Sequence, residues 1–127
     1  MIEGFGVDIV EVTRVKAAVK KYGSRFLNKI YTKRELDYCR SKGAPEQHLA
    51  ARFAAKEAVY KAFGGDGKIT IAWTDVEIIN EKNGKPKVIL KGSAKKLMDK
   101  RKITKAVISL SHTKNYAVGN CILVGKG

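Results

Sequence analysis

At 127 residues, with 44% hydrophobic and 30% charged side chains, the chain has the length of one domain and an ordinary globular composition. Its two cysteines, Cys39 and Cys121, have neither zinc-ligand nor redox-motif spacing, and no apolar run reaches membrane-spanning length, which argues against a disulfide scaffold, a zinc module and a membrane span. The charge stands out: 26 Lys and Arg against 12 Asp and Glu give +14, which calls for an anionic partner: nucleic acid, phospholipid, a phosphorylated small molecule or an acidic protein.

Residues 2–12 are interrupted by Glu3, Asp8 and Glu11, so no signal peptide is expected and the cytoplasm is the expected compartment, with both thiols reduced. Residues 2–9 read as a strand in which Gly4 and Gly6 let another backbone come close. Thr13 is placed to cap a helix over 14–22, with Val12, Val15, Val19 and Tyr22 on its buried face and Arg14, Lys20 and Lys21 exposed. Residues 13–34 hold eight Lys or Arg and no acid; residues 101–127 hold five and again none. Thr32-Lys33-Arg34-Glu35 fits a capping box for a helix that Gly43 would end. Pro45 opens a longer, Ala-rich helix over 46–63, stopped by Gly64-Gly65. Strand signals follow at 69–73 and 76–79, and a turn at Asn83-Gly84 leads to another at 87–90. Ser93 suits the cap of a short helix to residue 100. Residues 107–110 and 117–124 read as two last strands around Ser111-His112-Thr113. Strand, helices, hairpin, helix and hairpin predict a single α+β domain over 1–127, with helices packed on a largely antiparallel sheet.

The long helix carries an apolar stripe of Leu49, Phe53, Tyr60 and Phe63, and a second stripe of Ala50, Ala54, Glu57, Ala58 and Lys61. Small residues on that second face admit another backbone, and an acid among them is either ion-paired or metal-bound. Glu57 therefore pairs with Lys61 at i, i+4 or ligates a metal. Asp8 has two readings of its own: a strand-end acid capping the next turn, or a second ligand. Mg²⁺ takes one or two carboxylates and completes its shell with water and phosphate oxygens, which this pair could provide. Lys56 points about 100° around the helix from Glu57, to reach a substrate from another side or to pair elsewhere.

The segment Ser109-Leu110-Ser111-His112-Thr113-Lys114 groups hydroxyls, an imidazole and an ammonium on a turn. It can grip a phosphate, or simply close a hairpin; no nucleophile elbow supports a triad. Gly64-Gly65-Asp66-Gly67-Lys68 lacks the Walker pattern and reads as a helix stop. His48 is expected on or near the surface with no catalytic part.

Three segments together carry a resemblance: Gly4-Phe5-Gly6-Val7-Asp8-Ile9-Val10-Glu11, then 52–63 with Lys56-Glu57 and Lys61, then Ser109-Leu110-Ser111-His112-Thr113. In this order they are similar to the holo-acyl-carrier-protein synthase family of small phosphopantetheinyl transferases, whose superfamily signature is G-x-D with K-E-x-x-x-K. Thr32-x-x-Glu35-Leu36 and Asn83-Gly84-Lys85-Pro86 fit it too, and the resemblance covers essentially the whole chain. It implies a 4′-phosphopantetheinyl transferase-like fold. It also implies transfer of the 4′-phosphopantetheine arm of coenzyme A to a serine of apo acyl carrier protein, a step in fatty acid biosynthesis that releases adenosine 3′,5′-bisphosphate. The cofactor implied is Mg²⁺, on Asp8 and Glu57. Glu57, Lys61 and His112 match the family's catalytic positions. Arg52, Lys56, Lys61, Gly84, Lys85, Pro86, Ser111, His112 and Thr113 match positions beside coenzyme A. Assembly as a homotrimer with active sites between subunits is implied as well. The acceptor of the serine proton stays open between Glu57 and a metal-bound water.

An acidic carrier protein gives the basic helix a partner, with Arg14, Lys21 and Arg25 as docking residues. Two rival classes use the same charge. A nucleic-acid binder would want aromatics clustered on a strand face or a recognition helix, and neither is present, so no specific nucleic acid is expected. A non-catalytic adaptor would need neither Asp8 nor Glu57.

Overall fold

Strand β1 (Ile2–Glu11) runs directly into helix α1 (Val12–Tyr22) in this computed structural model, which describes residues 1–65 and 67–126. Asp66, within the glycine-rich helix stop, lies outside the described residues. Thr13 does not cap α1. The helix begins one residue before it, and the Val12 N–H is held instead by the Asn115 carbonyl of the distant last hairpin at 2.9 Å. Of the expected apolar face, Val12 and Val15 are buried, Val19 is half-buried and Tyr22 is exposed.

Gly23, at φ 57°, separates α1 from a helix that the sequence did not signal, α2 (Ser24–Ile30). Seven residues give too few turns for a clear apolar period. Helix α3 (Lys33–Arg40) opens with the expected capping box: Thr32 N–H to Glu35 Oε1 at 2.9 Å, Glu35 N–H to Thr32 Oγ1 at 3.3 Å. It ends at Ser41, ahead of Gly43, where the Ser41 hydroxyl donates to the Tyr38 carbonyl at 2.6 Å. Helix α4 (Pro45–Ala62) has Pro45 at its first position, where the missing N–H costs nothing.

The expected strand at 69–73 is absent. Ala72 donates its N–H to the Ser93 hydroxyl (2.9 Å) rather than to a ladder, and Trp73–Asp75 makes a 3₁₀ turn. Then come β2 (Val76–Asn80), β3 (Pro86–Leu90), α5 (Gly92–Lys100), β4 (Ile103–His112) and β5 (Tyr116–Gly125). Ser93 lies inside α5 rather than at its cap. Its N–H and hydroxyl both donate to Asp75 (2.8 and 2.6 Å), tying the helix to the 3₁₀ turn.

All strand pairs are antiparallel, in a three-stranded sheet of order β1-β5-β4 and a separate β2-β3 hairpin. The expected α+β class holds. Helix α4 lies across β1 and β5 at a distance set by glycines. A Cβ on Gly4 or Gly6 would strike the Ala62 or Ala58 carbonyl, and one on Gly119 would strike the Ala55 backbone. Opposite them stand Ala54, Ala55, Ala58 and Ala62, all buried. One added methyl would push helix from sheet, an overpacking cost of about 1–3 kcal/mol. This close contact brings Glu57 of α4 beside Asp8 of β1.

The core has two lobes. One packs Val59, Phe63, Ile78, Cys121 and Leu123 between α4, the sheets and α5; the other packs Val15, Ile30, Tyr31, Leu36, Cys39 and Leu49 among the first four helices. Burial pushes the Cys39 thiol up to about 11 and the Cys121 thiol to about 12, so both stay protonated and unreactive at neutral pH. Among the described residues no helix covers the other face of the three-stranded sheet. Phe5, Val7, Ile9 and Val107 point outward there, Ile9 with 67% of its surface exposed.

Candidate active site

Asp8 stands in β1 opposite Gly119, so no cross-strand side chain covers it. Its Oδ1 accepts from Lys61 Nζ at 2.8 Å, and Glu57 lies one turn before Lys61 on α4. The i, i+4 pair expected from sequence between Glu57 and Lys61 is thus replaced by a cross-element pair. Burial raises the Glu57 carboxyl above its ordinary value and the nearby Asp8 charge raises it further, with Lys61 opposing. The hydrogen bond to Asp8 lifts the Lys61 ammonium above its own ordinary value. A carboxyl whose ionisation burial and a neighbouring acid disfavour is what a cation relieves.

These acids open on a cleft of about 370 Å³, lined also by Ile9, Val10, Arg14, Phe26 and Phe53. Glu57 also borders a second, partly apolar cleft of about 190 Å³ with Tyr60, Ile71, Trp73 and Val76. Among the described residues no three His, Cys, Asp or Glu side chains converge. Two carboxylates without a third ligand suit Mg²⁺, which keeps water and phosphate oxygens in its shell, and do not suit a structural zinc.

Lys56 goes elsewhere. Its ammonium is buried and donates to Glu35 Oε1 (2.7 Å) and to the Trp73 and Val76 carbonyls (3.0 and 2.7 Å). Its three N–H groups are thereby satisfied inside the protein, so of the two readings of Lys56 the structure shows the pairing, while the side chain also borders the cleft of about 190 Å³ beside Glu57. Burial pushes Lys56 down from its ordinary value and Glu35 partly restores it. Glu35 is itself fully buried; its Oε2 accepts the Ile78 N–H at 2.9 Å. The Lys56–Glu35 pair ties α3, α4 and β2 together one residue from Glu57.

The chain belongs to the 4′-phosphopantetheinyl transferase superfamily.

The match to that family runs over residues 4–121. The chain is 48% identical over 117 residues to the holo-[acyl-carrier-protein] synthase of Protochlamydia amoebophila, covering 92% of this chain and 93% of the relative. It superposes on the crystal structure of holo-[acyl-carrier-protein] synthase from Neisseria meningitidis with a TM-score of 0.87 at 31% identity, covering 97% and 98% of the two chains. The Bacillus anthracis holo-(acyl-carrier-protein) synthase, solved in complex with CoA (3′,5′-ADP), gives a TM-score of 0.79 at 30% identity over 99% of each chain.

The remaining residues expected from this transferase family fall on separate surfaces. Arg52 lines a cleft of about 410 Å³ with Arg34, Tyr38, Lys42, Asn80, Glu81, Lys82 and Gly84. Its Nη2 donates to Asn80 Oδ1 at 2.7 Å and to the Ile78 carbonyl at 3.3 Å, and its guanidinium lies 4.2 Å over the Tyr38 ring. Lys85 and Pro86 line a different groove, between β3 and β4 with Lys105. Ser111, His112 and Thr113 edge a smaller cleft of about 110 Å³ with Ile9 and Tyr116. The Thr113 hydroxyl accepts the Tyr116 N–H at 3.1 Å, closing the β4–β5 turn.

Among the described residues two buried side-chain polar atoms lack a hydrogen-bond partner: Arg52 Nε and His112 Nδ1. Both belong to the residues expected beside coenzyme A. Tyr38 and Lys42, which the sequence did not single out, and His48, expected on or near the surface with no catalytic part, gather around them. The one available signal was the i, i+4 spacing of His48 and Arg52 on α4. Arg14, Lys21 and Arg25 are all exposed, and Arg14 opens onto the cleft of Asp8 and Glu57. No helix among the described residues is long and apolar enough to cross a membrane.

Proposed function

We propose that this chain is a holo-acyl-carrier-protein synthase, moving the 4′-phosphopantetheine arm of coenzyme A to a serine of an apo acyl carrier protein. The observation that carries the reading is the pair Asp8 and Glu57, brought to one cleft by close helix–sheet packing with Lys61 bonded to Asp8, in a chain from this family. In the reaction the serine oxygen bonds to the phosphorus that bears pantetheine, the bond within the pyrophosphate breaks, and adenosine 3′,5′-bisphosphate leaves. Such transfers depend on positioning and on neutralising phosphate charge. Asp8 and Glu57 are the residues to hold Mg²⁺, which when bound would neutralise charge on the pyrophosphate. Lys61 places a second positive charge beside them. Arg52, Gly84, Lys85, Pro86, Ser111, His112 and Thr113 serve the nucleotide end of coenzyme A, and the two unpartnered atoms on Arg52 and His112 favour that assignment. Arg14, Lys21 and Arg25 dock the acidic carrier protein beside the acids.

The working form is a homotrimer, with one domain per subunit. The uncovered apolar face of Phe5, Val7, Ile9 and Val107 suits burial against a second copy. Within one chain the acids, the Arg52 cleft and the His112 cleft are separate, and an active site assembled between subunits would bring them to one ligand. The cytoplasm, where fatty acid synthesis meets coenzyme A, is the proposed compartment. The test is intact-mass spectrometry of apo carrier protein incubated with this protein, coenzyme A and Mg²⁺. The carrier is expected to gain one phosphopantetheine, dependent on the metal; no mass shift with or without Mg²⁺ refutes the enzyme.

A further inference from the structure

His48 and His112 form a ring pair that joins two of the separate clefts. The His48 ring meets the His112 ring edge-on at 4.7 Å between centroids, and the Tyr38 ring meets His48 edge-on at 5.9 Å. Over Tyr38 lie the Arg52 guanidinium at 4.2 Å and the Lys42 ammonium at 4.8 Å. A continuous column thus runs from the Arg52–Lys42 cleft through Tyr38 and His48 to His112 and its own cleft.

The column is rich in positive charge; one acid, Glu81, lines the adjoining Arg52–Lys42 cleft and pairs with neither cation. Among the described residues, every ion pair with a carboxylate involves other cations, and neither Lys42 nor Arg52 takes part in one. Arg52 donates only to neutral oxygens, and its Nε, like His112 Nδ1, is buried with no partner. The groups facing His48 are Tyr38 of α3, Lys42 just after it, Arg52 one turn on along α4 and His112 of β4, and none is an acid. Its imidazole is accordingly held below its ordinary value, first by burial and then by His112, Lys42 and Arg52. In the ligand-free protein His48 is therefore neutral at neutral pH.

We propose that His48 is a positioning residue of the coenzyme A site that packs against His112 and takes up a proton when a phosphate-bearing ligand occupies the Arg52–Lys42–His112 cluster. This rests on the functional reading above and deepens it. An anion placed among Lys42, Arg52 and His112 reverses the sign of the field at His48 and so favours its charged form. By linkage, a ligand that raises the proton affinity of a group binds more tightly where that group is protonated. His48 thus makes ligand affinity rise as pH falls.

The experiment is calorimetric titration of the full-length protein with coenzyme A in buffers of different ionisation enthalpy. It is run from about pH 7.5 to about pH 5.5, across the histidine range. Protons taken up per ligand are read directly, and protonation of the ligand's own phosphates cancels between variants. Wild type is expected to take up more protons than His48→Phe, which keeps a ring against His112 but cannot titrate. Its affinity should gain roughly three- to ten-fold more over that range, as a shift of up to about one pKa unit implies. His48→Gln, polar and without a titrating proton, should lose the same uptake, which separates charge from ring packing. Binding with equal proton uptake in wild type and both variants overturns the role of His48 and leaves the functional reading standing. Failure of wild type to bind coenzyme A overturns both.

Discussion

Two lysines five residues apart on α4 each meet a carboxylate at nearly the same distance, Lys56 with Glu35 at 2.7 Å and Lys61 with Asp8 at 2.8 Å. The Lys56 and Glu35 side chains are 1% and 0% exposed; the Lys61 side chain is 48% exposed. Burial sets what each pair can do. The sealed pair has the Lys56 ammonium bonded to fixed protein groups, so it holds α3, α4 and β2 in place. The open pair can exchange partners: a cation can displace Lys61 from Asp8, and an incoming phosphate can take Lys61. Glu57 lies between the two on α4, next to Lys56 and one turn before Lys61.

Breaking the sealed pair should have the largest effect on the fold. Lys56→Met leaves the Glu35 carboxylate buried without its charge partner, a loss on the order of 3–5 kcal/mol. Lys61→Met should cost less than about 1 kcal/mol, because water screens that pair. Urea denaturation of both variants at neutral pH checks the contrast, and equal losses would erase the distinction. The open side should dominate activity instead. Asp8→Ala or Glu57→Ala is expected to lower transfer by roughly 10²–10³-fold, the scale seen for loss of a group that stabilises transition-state charge. Circular dichroism should be unchanged, and full activity in either variant would remove the metal assignment.

Next in size is the docking face. Arg14→Glu combined with Lys21→Glu reverses two exposed charges, one of them on the rim of the acid cleft. KM for the carrier protein should rise about ten-fold with little change for coenzyme A, and the effect should shrink with added salt. Equal changes for both substrates would show that Arg14 serves the site and not the partner.

Much of this arrangement was legible in the sequence because local rules and packing agreed. Gly4 and Gly6 in a strand, facing an alanine stripe on a helix, left one way to pack, and that packing sets Asp8 beside Glu57. The Thr32–Glu35 capping box formed as its spacing required. The same spacing concealed the second role of Glu35, because a cap residue is read as a surface acid and here it is the buried partner of Lys56. Lys56 illustrates the limit: the helical wheel gave its direction, while its neighbours come from Trp73 and Val76, whose approach depends on a 3₁₀ turn in a stretch that read as strand. His48 read as a surface residue without a catalytic part for a related reason. It gains its meaning from His112, 64 positions on in sequence order and joined to it only through the packing of α4 against the end of β4.

The smallest expected effect is the most direct measure of how the open side differs from the sealed one. The Glu57 carboxyl is raised in the folded protein above its ordinary 4.5, first by burial and then by Asp8. A carboxyl raised on folding binds more protons in the native state than in the unfolded one, so stability falls as pH rises from about 4.5 through the raised value. Below that window the group is protonated in both states and contributes nothing; above it, the charged form burdens the metal-free fold. Glu57→Gln should then be more stable than wild type near neutral pH by a few tenths of a kcal/mol, roughly, since water reaches the group. The advantage should fade toward pH 4 as Glu57 itself protonates. Added Mg²⁺ should raise the denaturation midpoint of wild type and leave that of Glu57→Gln nearly unmoved, since binding to the native state alone stabilises it by mass action. A variant no more stable than wild type at any pH would mean that Asp8 and Lys61 already balance the Glu57 charge, and the open pair would then be as settled without metal as the sealed one.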